Sequence, residues 1–305
     1  MKNFLLTATA KITKRIYPFK GFGRIIKSIN YIFLRLGVDP INNAFLKDGT
    51  SMIIDLRSFE LFSFYLGDYD KKYINDLKKL IKKNSLFIDI GANIGFYSIA
   101  LANHIKNNKL KSKVYAFEPL DSNFKRLKKN ISLNKLEEYC IPFQIGLSDK
   151  RGKEQLTLRE DFKAGSSTGN AAIRTSNKFD RGFASESINL DTLDNFCKNF
   201  DLNKKSFLIK VDIEGHEDFF LRGAKKFISE NKPSIFMEVN KPYYSSRGVN
   251  IDLTFKNCIP SNYVILRFCS DSKKWIKTDL NKCKTIDNVF LVYLDYLDEF
   301  IELIN

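Results

Sequence analysis

The chain has 305 residues, 44% hydrophobic and 13% aromatic, which is enough to bury a substantial core and excludes a disordered or low-complexity protein. The five cysteines, Cys140, Cys197, Cys258, Cys269 and Cys283, are odd in number, widely spaced and accompanied by only His104 and His216. They argue against a disulfide framework and a zinc site, so reduced thiols in a cytoplasmic protein are expected.

The formal charge of +15 is concentrated at the start: Lys2, Lys11, Lys14, Arg15, Lys20, Arg24, Lys27 and Arg35 precede the first acid, Asp39. Between them Phe4, Leu5, Ala8, Ile12 and Ile16, then Ile25, Ile26, Ile29, Ile32, Phe33 and Leu36, fall at helical spacing. Two basic amphipathic helices are predicted. The pattern suits helices that cover a catalytic domain, and equally a peripheral contact of residues 1–38 with the inner face of an anionic membrane or with an acidic partner. A secretory signal fits poorly, because Thr7 and Thr9 interrupt the apolar run and Lys11 ends it. Nor does any run approach the roughly 20 apolar residues of a membrane span. Residues 1–50 are read as a basic extension and 51–305 as the catalytic domain.

From Gly67 onward a helix, about Lys71 to Lys82, opens an alternation of strands and helices. Strands are expected near Leu86 to Ile90, Lys113 to Phe117, Ile141 to Ile145, Phe207 to Val211, Ser234 to Val239, Tyr263 to Phe268 and Val289 to Tyr293. Helices fit Phe96 to Lys106, Asp121 to Asn134, Leu190 to Asn199 and Glu217 to Glu230. Such alternation specifies a doubly wound α/β sheet. The stretch Arg159 to Ser187, around AGSSTGNAAIRTSN, reads as a long surface loop beside the ligand-binding edge.

Chemistry concentrates where FIDIGANIGFYS leaves its strand, since Gly91 and Gly95 permit a tight turn and close backbone approach to a ligand. The next strand, VYAFEP, ends in Glu118, whose carboxylate can accept both hydroxyls of a ribose. Together they indicate an adenosine-containing cofactor. A nicotinamide cofactor would need GxGxxG, and Asp89, two residues before Gly91, would repel its pyrophosphate. A sulfonium would find that acid favourable.

DIGANIGFYS, AFEP, GLSD and KVDIEGHE, in this order and spacing, resemble the FkbM family of S-adenosylmethionine-dependent methyltransferases over roughly Ser85 to Tyr293. The resemblance implies a class I methyltransferase, Rossmann-like seven-stranded sheet acting on the oxygen of a sugar, glycolipid or other natural product. It also implies cofactor contacts from Asp89, Gly91, Asn93, Gly95 and Glu118, and adenine contacts near Ser148 and Asp149. Asp212 is then expected to face the methionine amino group or the acceptor.

An alcohol acceptor must lose its proton, and the candidates for that role are Asp212, His216 and Glu238, with Glu214 nearby. His216 has an alternative reading, in which Gly215 and His216 merely open a helix. Asp212, Glu214 and Glu238 do not by themselves establish a cation site, and no metal is expected. Partners are a small-molecule or glycan acceptor. A nucleic-acid substrate is disfavoured because the fourth strand ends in DIEG rather than an NPPY-type turn, although ribose methylation of RNA stays open, as does a scaffold role without catalysis.

Overall fold

The computed structural model describes residues 1–16, 19–158, 171–173, 184–199 and 206–304. In chain order these form α1 (Lys2–Thr13), α2 (Phe22–Arg35), β1 (Ile41–Phe45), β2 (Ser51–Asp55), α3 (Leu61–Leu66), α4 (Lys71–Leu80), β3 (Ser85–Ile90), α5 (Phe96–Asn107), β4 (Lys113–Phe117), α6 (Asp121–Leu133) and β5 (Cys140–Phe143). Then come β6 (Gly146–Leu147), β7 (Gly152–Leu158), β8 (Ala171–Ile173), β9 (Ala184–Asp191), α7 (Leu193–Phe196), β10 (Ser206–Val211), α8 (Glu217–Gly223), α9 (Lys225–Asn231) and β11 (Ser234–Asn240). The chain ends with α10 (Lys241–Ser246), α11 (Ile251–Cys258), β12 (Tyr263–Cys269), β13 (Lys274–Thr278), β14 (Ile286–Tyr293) and α12 (Ile301–Ile304).

The main sheet has eight strands in the order β13-β12-β14-β11-β10-β3-β4-β5. The run from β11 through β10, β3 and β4 to β5 is parallel, and β14, β12 and β13 are antiparallel additions. All seven predicted strands are present. The eighth, β13, was missed because KWIKT is a short edge strand with Lys at both faces, and its signal is weak until it pairs with β12. Every residue of β3 is buried, as expected of a central parallel strand covered on both faces.

Helices cover both faces. One core joins Phe87, Leu101 and Phe236 with Leu6, Ala10, Phe22 and Ile26 of the N-terminal helices, and the other joins Ile88, Ile209 and Met237 with Phe220, Phe227 and Phe255. Residue 50 lies inside the turn of the β1–β2 hairpin, and Leu6, Ala10, Phe22 and Ile26 of α1 and α2 share a core with the sheet.

The expected loop Arg159 to Ser187 lies largely outside the described residues. Its described parts are strands, since β8 and the first residues of β9 flank β7 in a second sheet of order β6-β9-β7-β8. Sequence reading missed this because the β9 segment ASESINLD is polar at alternate positions and gains its apolar partners, Leu156 and Leu120, only in the folded chain. The predicted helix Glu217 to Glu230 divides into α8 and α9 at Ala224.

Candidate functional site

β3 and β10 are adjacent parallel strands, yet the chain winds outward from β3 through β4 to β5 and from β10 through β11 in the opposite direction. This is the point where an open α/β sheet leaves a crevice at the carboxyl ends of its strands. A cleft opens there, walled by the turns that follow β3, β4 and β10.

The turn after β3 is built from backbone. The N–H groups of Gly91 and Ala92 donate to Phe117 O at 3.1 and 2.9 Å, which holds this turn against the end of β4. Gly91 has φ 77°, and a Cβ on it would lie 1.9 Å from Asp212 O. No other residue fits, because the obstacle is main chain and not a movable side chain. Gly95, at φ 100°, begins α5 against Leu127. Between them Asn93 adopts φ 51°, a conformation that asparagine tolerates better than most residues.

Glu118 locks this turn to the next. Asn93 N–H donates to its Oε2 at 2.8 Å and Leu120 N–H to its Oε1 at 3.0 Å. Burial pushes the Glu118 carboxyl up to about 7, although those two N–H groups oppose the shift. Glu118 and Asn93 both line the cavity, and the Oδ1 of Asn93 is buried without a hydrogen-bond partner among the described residues. A buried carboxylate beside an unsatisfied amide oxygen fits a ligand rich in hydroxyl and amino donors, as the adenosyl and methionyl parts of S-adenosylmethionine are.

Asp89 lies elsewhere than the charge pattern implied. Its side chain is 0% exposed and sits behind the cavity wall, where Ser98 Oγ donates to Oδ2 at 2.6 Å. Lys210 explains it. The β3–β10 register places Lys210 directly opposite Asp89, so both side chains share one face, with Nζ 3.4 Å from Asp89 Oδ1. The same ammonium donates to Gly91 O at 3.1 Å and stands 3.5 Å from Asp212 Oδ2. Burial works to lower the Lys210 pKa, but Asp89 and Asp212 outweigh it and hold the ammonium above its usual range. Lys210, which sequence reading did not single out, therefore joins the turns after β3 and β10.

The turn after β10 is built from side chains. Glu217 Oε1 accepts from the N–H groups of Ile213 and Gly215 at 3.1 and 3.2 Å, while Tyr244 Oη donates to Oε2 at 3.0 Å. Arg247 donates to Gly215 O and Asp218 Oδ1, both at 2.6 Å. Burial pushes the Glu217 carboxyl up to about 7. The result is that Asp212 presents a side chain 42% exposed at the cavity, flanked by Ile213 and Glu214.

His216 lines the cavity, stacked on Phe219 at a centroid separation of 3.9 Å, with Nε2 3.4 Å from Ser148 Oγ. Burial, reinforced by Arg247 and Arg222 and only partly opposed by Asp218, drops its pKa to about 3. The imidazole is thus neutral throughout the physiological range and a feeble base. Glu238, whose carboxyl burial and Asp212 push up to about 7, accepts from Asn240 Nδ2 at 3.4 Å and does not line the cavity. Ser148 and Asp149 also stand behind the wall, Asp149 3.7 Å from Arg222, while their neighbours Gly146 and Leu147 face the cavity.

The remaining wall comes from segments without a motif. Leu156, Ile188 and Leu190 of the second sheet close one side, and Phe59, Glu60 and Tyr69, from the turns around α3, close another. Tyr69 stacks on Phe96 at 4.0 Å, and Glu60 pairs with Arg126 at 3.1 Å. Tyr97 Oη donates to Asp70 Oδ2 at 2.9 Å beside Lys210. Only the aromatic content of this region hinted at such a role.

The sequence profile described as "Methyltransferase FkbM domain" matches residues 89–262. No protein of curated function matches the chain. Among solved structures, Methyltransferase FkbM from Methylobacillus flagellatus KT is 18% identical with a TM-score of 0.41, covering 76% of this chain and 52% of its own length. The chain thus spans about half of that protein. A Streptococcus mutans protein in complex with SAH is 12% identical, with a TM-score of 0.39 and coverage of 72% and 95%. An rRNA methylase from Streptococcus thermophilus is 11% identical, with a TM-score of 0.39 and coverage of 73% and 95%. Scores of this size say nothing of the acceptor.

Proposed function

The chain belongs to the FkbM methyltransferase family, whose cofactor is S-adenosylmethionine, and on that premise we propose that it methylates a hydroxyl oxygen on a sugar, glycolipid or other small natural product. One observation supports this reading above others: the cavity that holds Glu118 and Asn93 on one side presents Asp212, an exposed carboxylate beside a buried ammonium, on the other.

When bound, S-adenosylmethionine would supply an electrophilic methyl group open to in-line attack by an acceptor oxygen, the C–S bond breaking to release S-adenosylhomocysteine. In this reading Glu118 accepts from the ribose hydroxyls, Asn93 Oδ1 takes a donor it otherwise lacks, and the backbone at Gly91 and Gly95 allows close approach. Leu147, Leu156 and Leu190 supply an apolar wall that excludes water. Asp212 takes the proton from the acceptor hydroxyl, and Lys210, 3.5 Å away, fixes the position of that carboxylate. Asp89 acts through Lys210 and Ser98. His216, as a neutral imidazole, shapes the wall together with Ser148, while Asp149 braces Arg222 and Glu238 lends negative potential from behind.

The test is transfer of a labelled methyl group from S-adenosylmethionine to a panel of sugars, nucleotide sugars, glycolipids and RNA, read together with release of S-adenosylhomocysteine. Incorporation into a hydroxylated small acceptor, lost in Asp212→Asn with cofactor affinity retained, is expected. Incorporation into RNA ribose alone, or into an amine, would replace the reading. Failure of the well-folded protein to bind S-adenosylmethionine would leave a scaffold on a methyltransferase fold.

A further inference from the structure

The N-terminal helices carry apolar residues on both sides. α1 buries Leu6 and Ala10 against the domain, yet Phe4 is 75% exposed and Ile12 63% exposed on its outer side. α2 repeats the arrangement, burying Phe22 and Ile26 while Ile25 and Ile32 stand 46% and 57% exposed. A helix that only covered a core would be polar on its outer side. More than half of the large apolar side chains exposed among the described residues fall within the first 36 positions. A concentration of this kind marks an interaction surface.

The same outer side is cationic. Lys11, Arg15, Lys20, Arg24 and Lys27 are all exposed, and no carboxylate precedes Asp39. The combination selects among partners. RNA would pair with the cations but has no use for exposed Phe4, Ile12 and Ile32. A second copy would cover the apolar groups but would set two like-charged faces against each other. An anionic bilayer uses both, accepting apolar side chains at the acyl boundary and ammonium and guanidinium groups among its phosphates. Among the described residues no helix is long and apolar enough to cross a membrane.

We propose that α1, α2 and Phe19 between them form a docking face for an anionic phospholipid surface, on which the protein lies without crossing it. The proposal does not depend on which acceptor the cavity takes. α1 and α2 do pack on α3, however, and the turn before α3 contributes Phe59 and Glu60 to the cavity wall. A docked molecule would therefore hold its cavity close to the lipid side of the fold.

The test is co-sedimentation of the full chain with vesicles of phosphatidylcholine alone and of phosphatidylcholine mixed with phosphatidylglycerol. Binding to the mixed vesicles only, declining as salt is raised, is expected. Each Lys or Arg near such a surface contributes about fivefold to partitioning, so the variant Lys11→Glu, Arg15→Glu, Lys20→Glu, Arg24→Glu should bind at least ~100-fold more weakly. A second variant, Phe4→Ser, Ile12→Ser, Ile25→Ser, Ile32→Ser, should also lose binding while both keep the wild-type thermal midpoint and affinity for S-adenosylmethionine. The proposal is overturned if the wild-type protein stays in the supernatant with mixed vesicles, or if the serine variant binds as well as wild type. It is equally overturned if the wild-type protein ignores vesicles and is a dimer that the serine variant dissolves. The wild-type comparison between the two vesicle types stands whatever the variants do.

Discussion

Two strand-to-helix turns, after β3 and after β10, lie side by side and wall the same cavity, but they are held by different means. The first is fixed chiefly through its own main-chain groups: Gly91 and Ala92 N–H donate to Phe117 O, and Asn93 N–H donates to the Glu118 carboxylate. The second is fixed by side chains that arrive from α8, α10 and the segment after it, with Glu217, Tyr244 and Arg247 gripping Ile213 and Gly215. A turn made of backbone presents a nearly invariant shape, which suits recognition of one cofactor. A turn held by ionisable side chains can set charge, which suits proton handling. Lys210 and Glu118 are the links across each boundary.

The contrast predicts that glycine substitution is worse in the first turn. Gly91→Ala places a Cβ 1.9 Å from Asp212 O at φ 77°, and should cost more than ~3 kcal/mol by thermal unfolding. Gly215→Ala meets Tyr243 Cγ at 2.4 Å. Tyr243 Cβ is 2.5 Å away as well, so the ring cannot simply turn aside; a loss of ~2–3 kcal/mol is expected, less than at Gly91 because the obstacle there is main chain. Equal losses would show that both turns are equally rigid.

Cutting the link between the turns comes next. Lys210→Met leaves Asp89 buried without its partner and should destabilise the fold by ~3–5 kcal/mol. Adding Asp89→Asn should restore much of that loss; an unchanged midpoint in the double variant would mean that Asp89 is not what Lys210 neutralises. Glu118→Gln should keep the fold but weaken S-adenosylmethionine ~10–100-fold by calorimetry, because a charge-assisted acceptor is lost. Glu118→Ala should do worse, since Asn93 and Leu120 then both lose their acceptor, whereas the glutamine amide oxygen still serves one of them.

The ionisable turn should also make stability depend on pH. The Glu217 carboxyl is raised from 4.5 to about 7 by burial, and so is that of Glu118. A raised carboxyl contributes stability that is fully present below the unfolded value and is lost as pH rises through the folded one. Without cofactor the free energy of unfolding should therefore fall between about pH 4.5 and pH 7, by on the order of 1–3 kcal/mol per group, with the thermal midpoint falling in step. Glu217→Gln should flatten the curve, and an unchanged slope in that variant would assign it to Glu118 or Glu238. The smallest effect is expected at His216. With its pKa near 3, His216→Gln should leave the shape of the pH–rate profile near neutrality unaltered and lower methyl transfer by less than ~10-fold. An acidic limb that disappears in this variant would restore His216 as the proton acceptor.

The sequence by itself determined the strands β3, β4, β10, β11, β12 and β14, the glycine turn at Gly91 to Gly95 and the acid at Glu118, because apolar periodicity and turn chemistry are written in neighbouring residues. It also placed Asp212 and His216 at a strand end. Only the tertiary structure decided the surroundings of these groups. Asp89 reads as a sulfonium partner until the β3–β10 register sets Lys210 opposite it, across more than a hundred residues of chain. His216 reads as a neutral-pH base until burial and two arginines remove its charge. The walls from Phe59, Tyr69, Leu156 and Leu190 carry no motif and are brought to the cavity only by packing. Local pattern depends on residues close in sequence, whereas charge state and orientation depend on desolvation and partners from distant segments, which no local pattern encodes.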